Sequence, residues 1–453
     1  MRPNVLMIVA DDLNAWIGAL GRNPDVKTPN IDRLADRGSL FVHAYCSAPY
    51  CNASRMSVFT GCIPSTTGIY HNEPLWDRPG RQPTFVELIK SAGYYTFGAG
   101  KVLHGVFDYA SAGRNRTSSA AWKEVENRPF LWDDFVSNTR EPLPKRRPLN
   151  QFFDFDDFDA VPPMYHHFDW GPLPPEEEHE TPDAQVVTSV RDFLRNAPSQ
   201  PFFCAAGFYK PHLPWHVPER FFSLYDIERI SLPLVKKDDL DDVPPIGRDW
   251  VLSTRDHDLV TSHAQWPHAV QGYLASISYV DELIGRLIAT LEETGLSETT
   301  TVVLWGDNGF HLGEKLHWRK FVLWEEATRV PLIVVPPYAT ASRRIYEPVS
   351  LVDIFPTVLE IAGIQPSFPC DAHSLLPFLT CDTWQRPAPV VTSWGRGNHS
   401  LRVEQWRYTR YADGKEELYD HSTDPYEWTN LAGNTAFTNI CDRLRTLVPG
   451  DAN

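Results

Sequence analysis

Apolar runs and helical periodicities alternate along most of the chain and predict an α/β architecture. The first apolar run, from Asn4 to Ala10, is short and ends at Asp11-Asp12, as a buried strand would. Further strands are predicted at Tyr94 to Ala99, Phe202 to Ala206, Thr300 to Trp305 and Pro331 to Val335. Helices are predicted at Thr28 to Gly38, Ser54 to Gly61, Thr84 to Gly93, Asp183 to Asn196 and His268 to Gly295. This alternation indicates a large, mostly parallel sheet with helices on both faces.

Several helices carry start and stop signals. Thr28 is predicted as an N-cap, Pro29 as the first helical residue and Gly38 as the C-terminal cap. The helix that ends near Gly61 places Cys51 near a helix N-terminus. The longest helix has apolar residues three and four positions apart, at Ile277, Val280, Ile284, Leu287 and Leu291.

Two polar stretches and the C-terminal segment depart from this alternation. Residues Arg114 to Pro182 and Leu234 to His263 have little periodicity and are interpreted as long loops at the rim of the sheet. From Val390 onward, short strands, turn residues and a final helix predict a small antiparallel sheet. We therefore predict a main α/β domain at 1–382 and an antiparallel β subdomain at 383–453.

Composition narrows the possible functions. The chain has 453 residues, 42% of them hydrophobic, and a formal charge of −16. This charge argues against binding nucleic acid or an anionic membrane, because both need a basic face. Seven cysteines without a CxxC pair indicate neither a disulfide scaffold nor structural zinc. Since neither a signal peptide nor a membrane span is visible, we expect a cytoplasmic location, or a periplasmic or secreted one if a leader was removed.

Polar side chains follow two predicted strands at the ends where parallel sheets gather their ligands. Asp11 and Asp12 end the first strand, and Asp307 and Asn308 follow the strand that ends at Trp305. Their hard oxygen ligands suit Ca²⁺, and less well Mg²⁺, better than zinc. Adjacent carboxylates repel each other unless a cation lies between them, so we favour a metal site over simple turn aspartates.

Three other acidic stretches lack the spacing of a metal site. These are Asp154 to Asp159, Glu176 to Glu178, and Arg255-Asp256-His257-Asp258. We interpret all three as solvated loops.

Several motifs in one order give the chain a family resemblance. Cys51-Asn52-Ala53-Ser54-Arg55 with Thr60-Gly61 is followed by Gly100-Lys101 with His104, by Lys210-Pro211-His212, by Gly306 to Glu314, by Lys320, and by Glu417 to Asp420. Together they resemble the type I sulfatases of the alkaline phosphatase superfamily, and most of all the iduronate-2-sulfatase-like branch. The resemblance covers nearly the whole chain and implies an alkaline-phosphatase-like fold.

The resemblance implies a modified nucleophile. In this family a formylglycine-generating enzyme oxidises the residue at the position of Cys51 to formylglycine, whose hydrated aldehyde attacks the sulfate ester and forms a covalent sulfated intermediate. The metal is usually calcium, held by Asp11, Asp12, Asp307, Asn308 and the modified Cys51. The commoner form of the motif has proline where this chain has Ala53.

The basic residues acquire roles from the same resemblance. Arg55 matches the arginine that orients the aldehyde hydrate, and Lys101 the lysine that binds aldehyde or sulfate oxygens. His104 is implied to aid elimination of sulfate, His212 to protonate the leaving alcohol and Lys320 to bind sulfate. A lone lysine or histidine is ordinarily a surface side chain, so the ordered set carries the hypothesis. Lys210 is a weaker candidate than these.

The implied activity is hydrolysis of a sulfate ester on a carbohydrate. Two alternatives stay open, a phosphonate monoester or phosphodiester hydrolase on the same scaffold and a non-catalytic glycan-binding protein with unmodified Cys51. His166 to Gly171 and Gly397-Asn398-His399 are candidates for the substrate rim, although Trp170 also fits the core. The identity of the sugar and the position of its sulfate are not encoded in any of these motifs.

Overall fold

The computed structural model describes residues 2–76, 78, 80–104, 130–137, 150, 165, 167–337, 339, 342–366, 368–381 and 384–451. The strands in this part of the chain are β1 (Asn4–Asp11), β2 (Ser39–Phe41), β3 (Ala44–Tyr45), β4 (Tyr95–Gly100), β5 (Asp134–Val136), β6 (Trp170–Leu173), β7 (Phe202–Pro211), β8 (Trp215–Pro218), β9 (Thr300–Gly306), β10 (His311–Leu312), β11 (Trp318–Arg319), β12 (Arg329–Val330), β13 (Leu332–Val335), β14 (Arg343–Ile345), β15 (Val349–Ser350), β16 (Val390–Ser393), β17 (His399–Val403), β18 (Trp406–Arg410) and β19 (Glu416–Asp420).

The α-helices of the described residues are α1 (Pro29–Ala35), α2 (Cys51–Thr60), α3 (Pro64–Thr67), α4 (Phe85–Ser91), α5 (Pro182–Arg195), α6 (Glu219–Phe222), α7 (Pro245–Leu252), α8 (Asp256–Ser262), α9 (Trp266–Glu293), α10 (Glu325–Thr328), α11 (Ile354–Ile361), α12 (Leu376–Thr380) and α13 (Thr438–Arg445). Short 3-10 turns occur at Gly18–Leu20, Pro175–Glu180, Leu296–Glu298, Glu314–Leu316, Leu351–Asp353 and Thr435–Phe437. None of the helices described is both long enough and apolar enough to cross a lipid bilayer.

A central eight-stranded sheet has the order β14-β2-β13-β9-β1-β7-β4-β5. Strands β9, β1, β7, β4 and β5 form a contiguous parallel block. Strand β13 is antiparallel to both of its neighbours, β9 and β2. The chain between β9 and β13 folds over the carboxyl edge of the sheet and re-enters from that edge, which reverses the strand. The predicted mostly parallel sheet is therefore confirmed.

Two apolar layers flank this sheet, and the side chains of β1 alternate between them. Leu6 and Ile8 pack on the face covered by α1, α5 and α9. Val5 and Met7 pack on the opposite face, against α2, α4 and α11. Such alternation with both faces buried is expected of a strand at the centre of a parallel sheet, and it confirms the predicted sandwich of helices around the sheet.

The first helix begins where the sequence predicted and ends sooner. Helix α1 starts at Pro29 but stops at Ala35, so the prediction of Gly38 as its cap is wrong. A side chain at Gly38 would have its Cβ 2.6 Å from the carbonyl oxygen of Val334 on β13. Glycine is therefore needed at this position for close packing beside the sheet rather than for helix termination.

The N-terminus of α1 is capped from a distant helix rather than by Thr28. The side chain of Thr28 accepts a hydrogen bond from the backbone of Gly18 at 2.8 Å, outside the helix. Asp281 on α9 instead accepts from the backbone N–H groups of Asn30 at 3.0 Å and Ile31 at 2.8 Å. Asp281, from a distant part of the chain, thus supplies the hydrogen-bond acceptor that the local sequence predicts at Thr28.

The loop interpretation of Leu234 to His263 is wrong for part of that stretch, which contains α7 and α8. Asp256 begins α8, is 1% exposed and accepts a hydrogen bond from Arg319 Nε at 2.7 Å. It is therefore a buried ion-pair partner and not a solvated residue. Glu178 likewise lies in a 3-10 turn and pairs with Arg220 at 2.7 Å. Most of Arg114 to Pro182, including Asp154 to Asp159, lies outside the described residues.

The C-terminal segment forms the predicted antiparallel sheet, with four strands in the order β16-β17-β18-β19. Its inner face packs on α13 through Leu401, Tyr408, Leu418, Cys441 and Leu444. Ile63 and Val352, from the larger part of the chain, belong to the same apolar cluster. The boundary at 382/383 stays a prediction, because this cluster joins residues from both sides of it.

Candidate active site

The carboxyl ends of adjacent parallel strands carry most of the predicted site residues. Strand β1 ends at Asp11 and is followed by Asp12, and β9 is followed directly by Asp307. Strand β4 is followed by Lys101 and β7 by His212. Because β9, β1, β7 and β4 are neighbours in the sheet, these side chains converge on one place at its edge.

Three buried carboxylates form the centre of this place. One oxygen atom of each of Asp11, Asp12 and Asp307 lies within 4.8 Å of the others. Asp12 has a φ of 60°, and its backbone N–H donates to Asp307 Oδ1 at 2.9 Å. Burial and the charge of Asp11 raise the pKa of Asp307 to about 7. Burial also opposes ionisation of Asp11, but Lys101, His212 and Arg55 hold its pKa well below the ordinary value.

Asn308 adds an amide to the three carboxylates. Its Nδ2 donates to Asp12 Oδ1 at 2.7 Å and to the carbonyl of Gly309 at 2.9 Å. Its side-chain oxygen is buried and has no hydrogen-bond partner among the described residues. A buried amide oxygen without a donor, next to three carboxylates, fits the oxygen-rich shell of a hard divalent cation. The four side chains can therefore hold a metal ion.

Cys51 is the first residue of α2 and is 3% exposed. Lys320 Nζ lies 2.7 Å from its Sγ, and the Sγ lies 3.9 Å from Asp12 Oδ1. Burial and the charge of Asp11 raise the pKa of the Cys51 thiol well above its ordinary value. An unmodified thiol here stays protonated at neutral pH and is a weak nucleophile.

Arg55 lies one helical turn beyond Cys51 and is fully buried. Its Nε donates to Asp307 Oδ2 at 2.8 Å, and its Nη2 lies 3.5 Å from Asp11 Oδ1. Its Nη1 donates to the carbonyls of Lys101 and Val102. One guanidinium thus fixes α2 against two carboxylates and against the chain that leaves β4.

Two buried lysines complete the charge of the site. Lys101 Nζ is paired with Asp11, and Lys320 Nζ with Asp12. Burial lowers the pKa of each ammonium, but the carboxylates outweigh it and raise both values above the ordinary one. Both lysines therefore stay charged at neutral pH and can attract an anion.

Two histidines of the site, His212 and His104, have lowered pKa values. His212 Nε2 lies 3.7 Å from Asp12 Oδ2, and its Nδ1 is hydrogen-bonded to the carbonyl of Leu213 at 2.5 Å. Burial lowers the pKa of His212 to about 4, against the opposing charges of Asp12 and Asp11. Burial and Lys101 lower the pKa of His104 well below its ordinary value, so His104 also lies among the charged groups of the site.

Sequence comparison assigns this arrangement to a family. The profile of the Sulfatase family matches residues 3–364, and that of the N-sulphoglucosamine sulphohydrolase C-terminal family matches residues 313–449. The chain belongs to the sulfatase family. A "Sulfatase" of Formosa agariphila is 35% identical over 99% of this chain and 86% of its own length. Human iduronate 2-sulfatase is 29% identical over 82% of this chain and 71% of its own length.

Solved structures share the fold of this sulfatase. A phosphonate monoester hydrolase from Silicibacter pomeroyi superposes with a TM-score of 0.75 at 22% identity, covering 98% of this chain and 94% of that one. A protein in complex with its substrate D-glucosamine-2-N,6-O-disulfate gives a TM-score of 0.71 at 20% identity, covering 99% and 97%. The alkaline-phosphatase-like fold is confirmed, and the sulfatase is a sulfuric ester hydrolase by family.

The predicted substrate rim is only partly where the sequence suggested. Phe168, Asp169 and Trp170 are each at most 3% exposed, and Trp170 stacks on Trp215 in the core, while His166 lies outside the described residues. His399 is buried against Ser393, with 2.9 Å between His399 Nδ1 and Ser393 Oγ. In this sulfatase Phe168 to Trp170 therefore serve packing, whereas His167 is exposed.

In the structure the Lys210 ammonium is bonded to the backbone, and further residues appear that the sequence did not indicate. Lys210 Nζ donates to the carbonyl of Pro214 at 2.6 Å. The rings of Tyr50, Phe321 and Trp394, by contrast, meet beside Cys51 and Lys320. They come from three distant segments, so no spacing in the sequence could have grouped them.

Proposed function

We propose that this sulfatase hydrolyses the sulfate ester of a sulfated carbohydrate, with Cys51 converted to formylglycine and Ca²⁺ bound by Asp11, Asp12, Asp307 and Asn308. One observation carries the proposal. The Cys51 Sγ, an oxygen of Asp11 and a ring nitrogen of His212 all lie within 4.8 Å of one another. A nucleophile, a metal ligand and an acid–base group thus share one small volume.

Formylglycine and a divalent cation would each supply one part of the chemistry. Formylglycine at position 51 supplies, as its hydrate, a hydroxyl nucleophile in place of the protonated thiol. A divalent cation supplies positive charge that favours ionisation of that hydroxyl and neutralises a sulfate oxygen. The carboxylates and the amide oxygen of Asn308 fit such a cation, and calcium accepts this type of ligand set.

The chain's own side chains bind and orient the sulfate. Lys101 and Lys320 are buried cations beside Cys51 and supply charge where the negative sulfate oxygens must lie. Arg55 holds the nucleophile's helix against Asp307 and therefore fixes the distance between residue 51 and the carboxylates. The fixed cations need not reorganise as charge develops on the sulfate.

His212 is placed to hold the proton for the leaving alcohol. The carbonyl of Leu213 can only accept, so Nδ1 of His212 carries a hydrogen and Nε2 is the atom that gains or loses a proton. Nε2 lies on the side of Asp12, toward the site. A bound sulfate ester adds negative charge there, which raises the pKa of His212 and favours its protonated form.

A carbohydrate substrate is supported by two relatives. Human iduronate 2-sulfatase is a homologue, and a protein of the same fold was solved with D-glucosamine-2-N,6-O-disulfate. The fold is also that of a phosphonate monoester hydrolase, which makes attack at phosphorus the second candidate function.

The deciding experiment combines peptide mass and turnover. We expect protein made together with a formylglycine-generating enzyme to carry an aldehyde at residue 51. We expect this protein to release sulfate from an aryl sulfate faster than it cleaves the matching aryl phosphonate. Sulfate release should scale with the converted fraction, and Cys51→Ala should abolish it. An intact thiol in active preparations, or faster phosphonate cleavage, would overturn the proposal.

A further inference from the structure

Three aromatic rings form a continuous surface, which we term the aromatic wall. It consists of Tyr50, Phe321 and Trp394. Tyr50 stacks on Trp394 with 5.7 Å between ring centroids and an angle of 18° between ring planes. Phe321 lies 5.5 Å from each of the other two rings. All three residues are only partly buried, so each keeps some surface for a ligand.

The aromatic wall adjoins the reacting position. Tyr50 precedes Cys51 in the chain, and Phe321 follows Lys320. The Nζ of Lys320 is 2.7 Å from Cys51 Sγ and 5.8 Å from the ring centroid of Phe321. Cys51 and Lys320 are buried whereas the wall is partly exposed. The wall therefore borders the buried Cys51 and Lys320 on a side that is partly exposed to solvent.

The backbone that presents Phe321 is held in an unfavourable conformation. Arg319 has a φ of 73° and Phe321 a φ of 75°, values that favour glycine. The side chain of Arg319 is anchored to Asp256, with 2.7 Å between Nε and Oδ2. Strained backbone is retained where it serves a site, and here it lies on both sides of Lys320. It fixes the Lys320 ammonium and the Phe321 ring relative to each other.

Trp394 is likewise held in place rather than loosely attached. Its carbonyl accepts from Asn398 Nδ2 at 3.0 Å, and the ring of Trp250 lies 6.5 Å from its own ring. The exposed ring of His71 packs edge-on at 4.9 Å, which puts polar atoms at the edge of an apolar surface. An apolar aromatic surface with polar groups at its border matches a sugar ring, which has apolar C–H faces and hydroxyl groups at its edge.

We propose that the aromatic wall binds the apolar face of the pyranose ring that bears the sulfate ester, and that it selects cyclic over acyclic sulfate esters. This inference rests on the proposed sulfatase activity and deepens it. The contact is made by the alcohol part of the substrate and not by the sulfate. Its loss should therefore weaken binding of ring substrates without disturbing the chemistry at residue 51.

The test compares three substrates on four proteins. The substrates are a pyranoside sulfate, an acyclic alkyl sulfate and an aryl sulfate. The proteins are the wild type, Trp394→Ala, Trp394→Phe and Trp428→Ala, all made with the formylglycine-generating enzyme. Trp428 is the matched control, since it is also partly buried and stacks on Tyr426 at 4.8 Å. Aldehyde content and melting temperature are measured for each protein, so that misfolding is recognised.

We expect Trp394→Ala to raise KM for the pyranoside sulfate about tenfold and to change kcat for it little. The kinetic constants for the acyclic ester should also change little. Trp394→Phe should recover most of the loss, and Trp428→Ala should behave as the wild type. An equal loss on the pyranoside and acyclic esters, or a loss confined to the aryl sulfate, overturns the inference while leaving the sulfatase activity intact. If the wild type cleaves none of the three esters, the proposed function itself fails.

Discussion

Arg55 joins α2, the helix that begins at Cys51, to the carboxylate of Asp307 at 2.8 Å and to the carbonyl of Val102 at 2.9 Å. A lysine has one compact ammonium and cannot make these bonds together. Arg55 also opposes the burial that raises the pKa of Asp307 to about 7, and a lysine ammonium without the bond from Nε to Asp307 Oδ2 opposes it less, so Asp307 is more protonated at neutral pH. We expect Arg55→Lys to lower kcat by at least about 100-fold and to raise the Ca²⁺ concentration needed for half-maximal rate.

Initial rates measured against Ca²⁺ concentration check this prediction. Arg22→Lys is the control, because Arg22 is also paired with a carboxylate, that of Glu326, but lies outside the site. The control should keep wild-type kinetics. A wild-type Ca²⁺ dependence in Arg55→Lys would show that Arg55 does not support the metal ligands.

His212 can be tested through the leaving group. An alkoxide is a poor leaving group and needs a proton, whereas a nitrophenolate leaves without one. We expect His212→Asn to slow an alkyl sulfate by about 100-fold or more and a nitrophenyl sulfate far less. Rates for a series of alcohols of increasing acidity give the measurement. Equal losses across the series would assign His212 to binding instead of proton transfer.

At the residue scale, the sequence predicted which side chains come together better than the bonds between them. Asp11, Asp12, Asp307 and Asn308 were predictable because strand ends of a parallel sheet meet at one edge. The bonds of Arg55 to two backbone carbonyls were not, since backbone acceptors leave no signal in a sequence.

At the scale of elements, the C-terminal sheet holds the segment that carries Lys320. Arg407 on β18 donates to the carbonyl of Leu323 at 3.1 Å and pairs with Glu325 at 2.5 Å. Glu427 accepts from the backbone of Glu325 at 2.9 Å and is paired with Arg407. This buried network follows Lys320 by only a few residues, so the small sheet contributes to the geometry of the site.

The network predicts a pH-dependent stability. Burial opposes ionisation of Glu427, but Arg407 and His421 lower its pKa from 4.5 to about 2. A depressed carboxyl pKa contributes stability that is fully present above the unfolded value and is lost as the pH falls toward about 2. We expect Glu427→Gln to lower the free energy of unfolding by about 3 kcal/mol at neutral pH, since the buried Arg407 then keeps only one of its two carboxylate partners, Glu325.

Denaturant unfolding at several pH values measures this effect. The difference between Glu427→Gln and the wild type should shrink as the pH falls below about 4.5, where the carboxyl of the unfolded wild type takes up a proton, and should vanish near pH 2, where the folded wild type takes it up as well. Glu416→Gln is the control, because its pair with Arg445 is partly exposed and contributes less than about 1 kcal/mol. A difference that does not depend on pH would exclude the charge of Glu427 as its cause.

Elements with strong periodicity were predicted well, and polar ones were not. The pattern from His268 to Gly295 corresponds to α9, whereas the polar stretch that forms α7 and α8 predicts a loop. Helix α8 begins at the buried Asp256, whose partner Arg319 lies far away in sequence, so tertiary pairing stabilises a segment whose own composition predicts a loop.

At the scale of the whole molecule, the fold and the site arise from the same arrangement. Parallel neighbours β9, β1, β7 and β4 bring Asp307, Asp11, Lys101 and His212 to one edge, as α/β sheets do. The reversed direction of β13 was not predictable, because four apolar residues read alike in either direction. The chain between β9 and β13 consequently stays at the active edge, and Lys320 belongs to it.

This organisation predicts that the metal is needed for activity but not for folding. Asp11, Asp12 and Asp307 are matched within the protein by Lys101, Lys320 and Arg55, so the site stays compensated without a cation. The two apolar layers around the sheet lie apart from this charge cluster. We expect a chelator to abolish sulfate release, leave circular dichroism unchanged, and lower the melting temperature by about 3 °C relative to saturating Ca²⁺.

Added Ca²⁺ should restore both rate and melting temperature in the wild type but not in Asp307→Asn, because the mutant lacks one carboxylate ligand. Global unfolding on chelation would show instead that the cation holds the strands' carboxyl ends together.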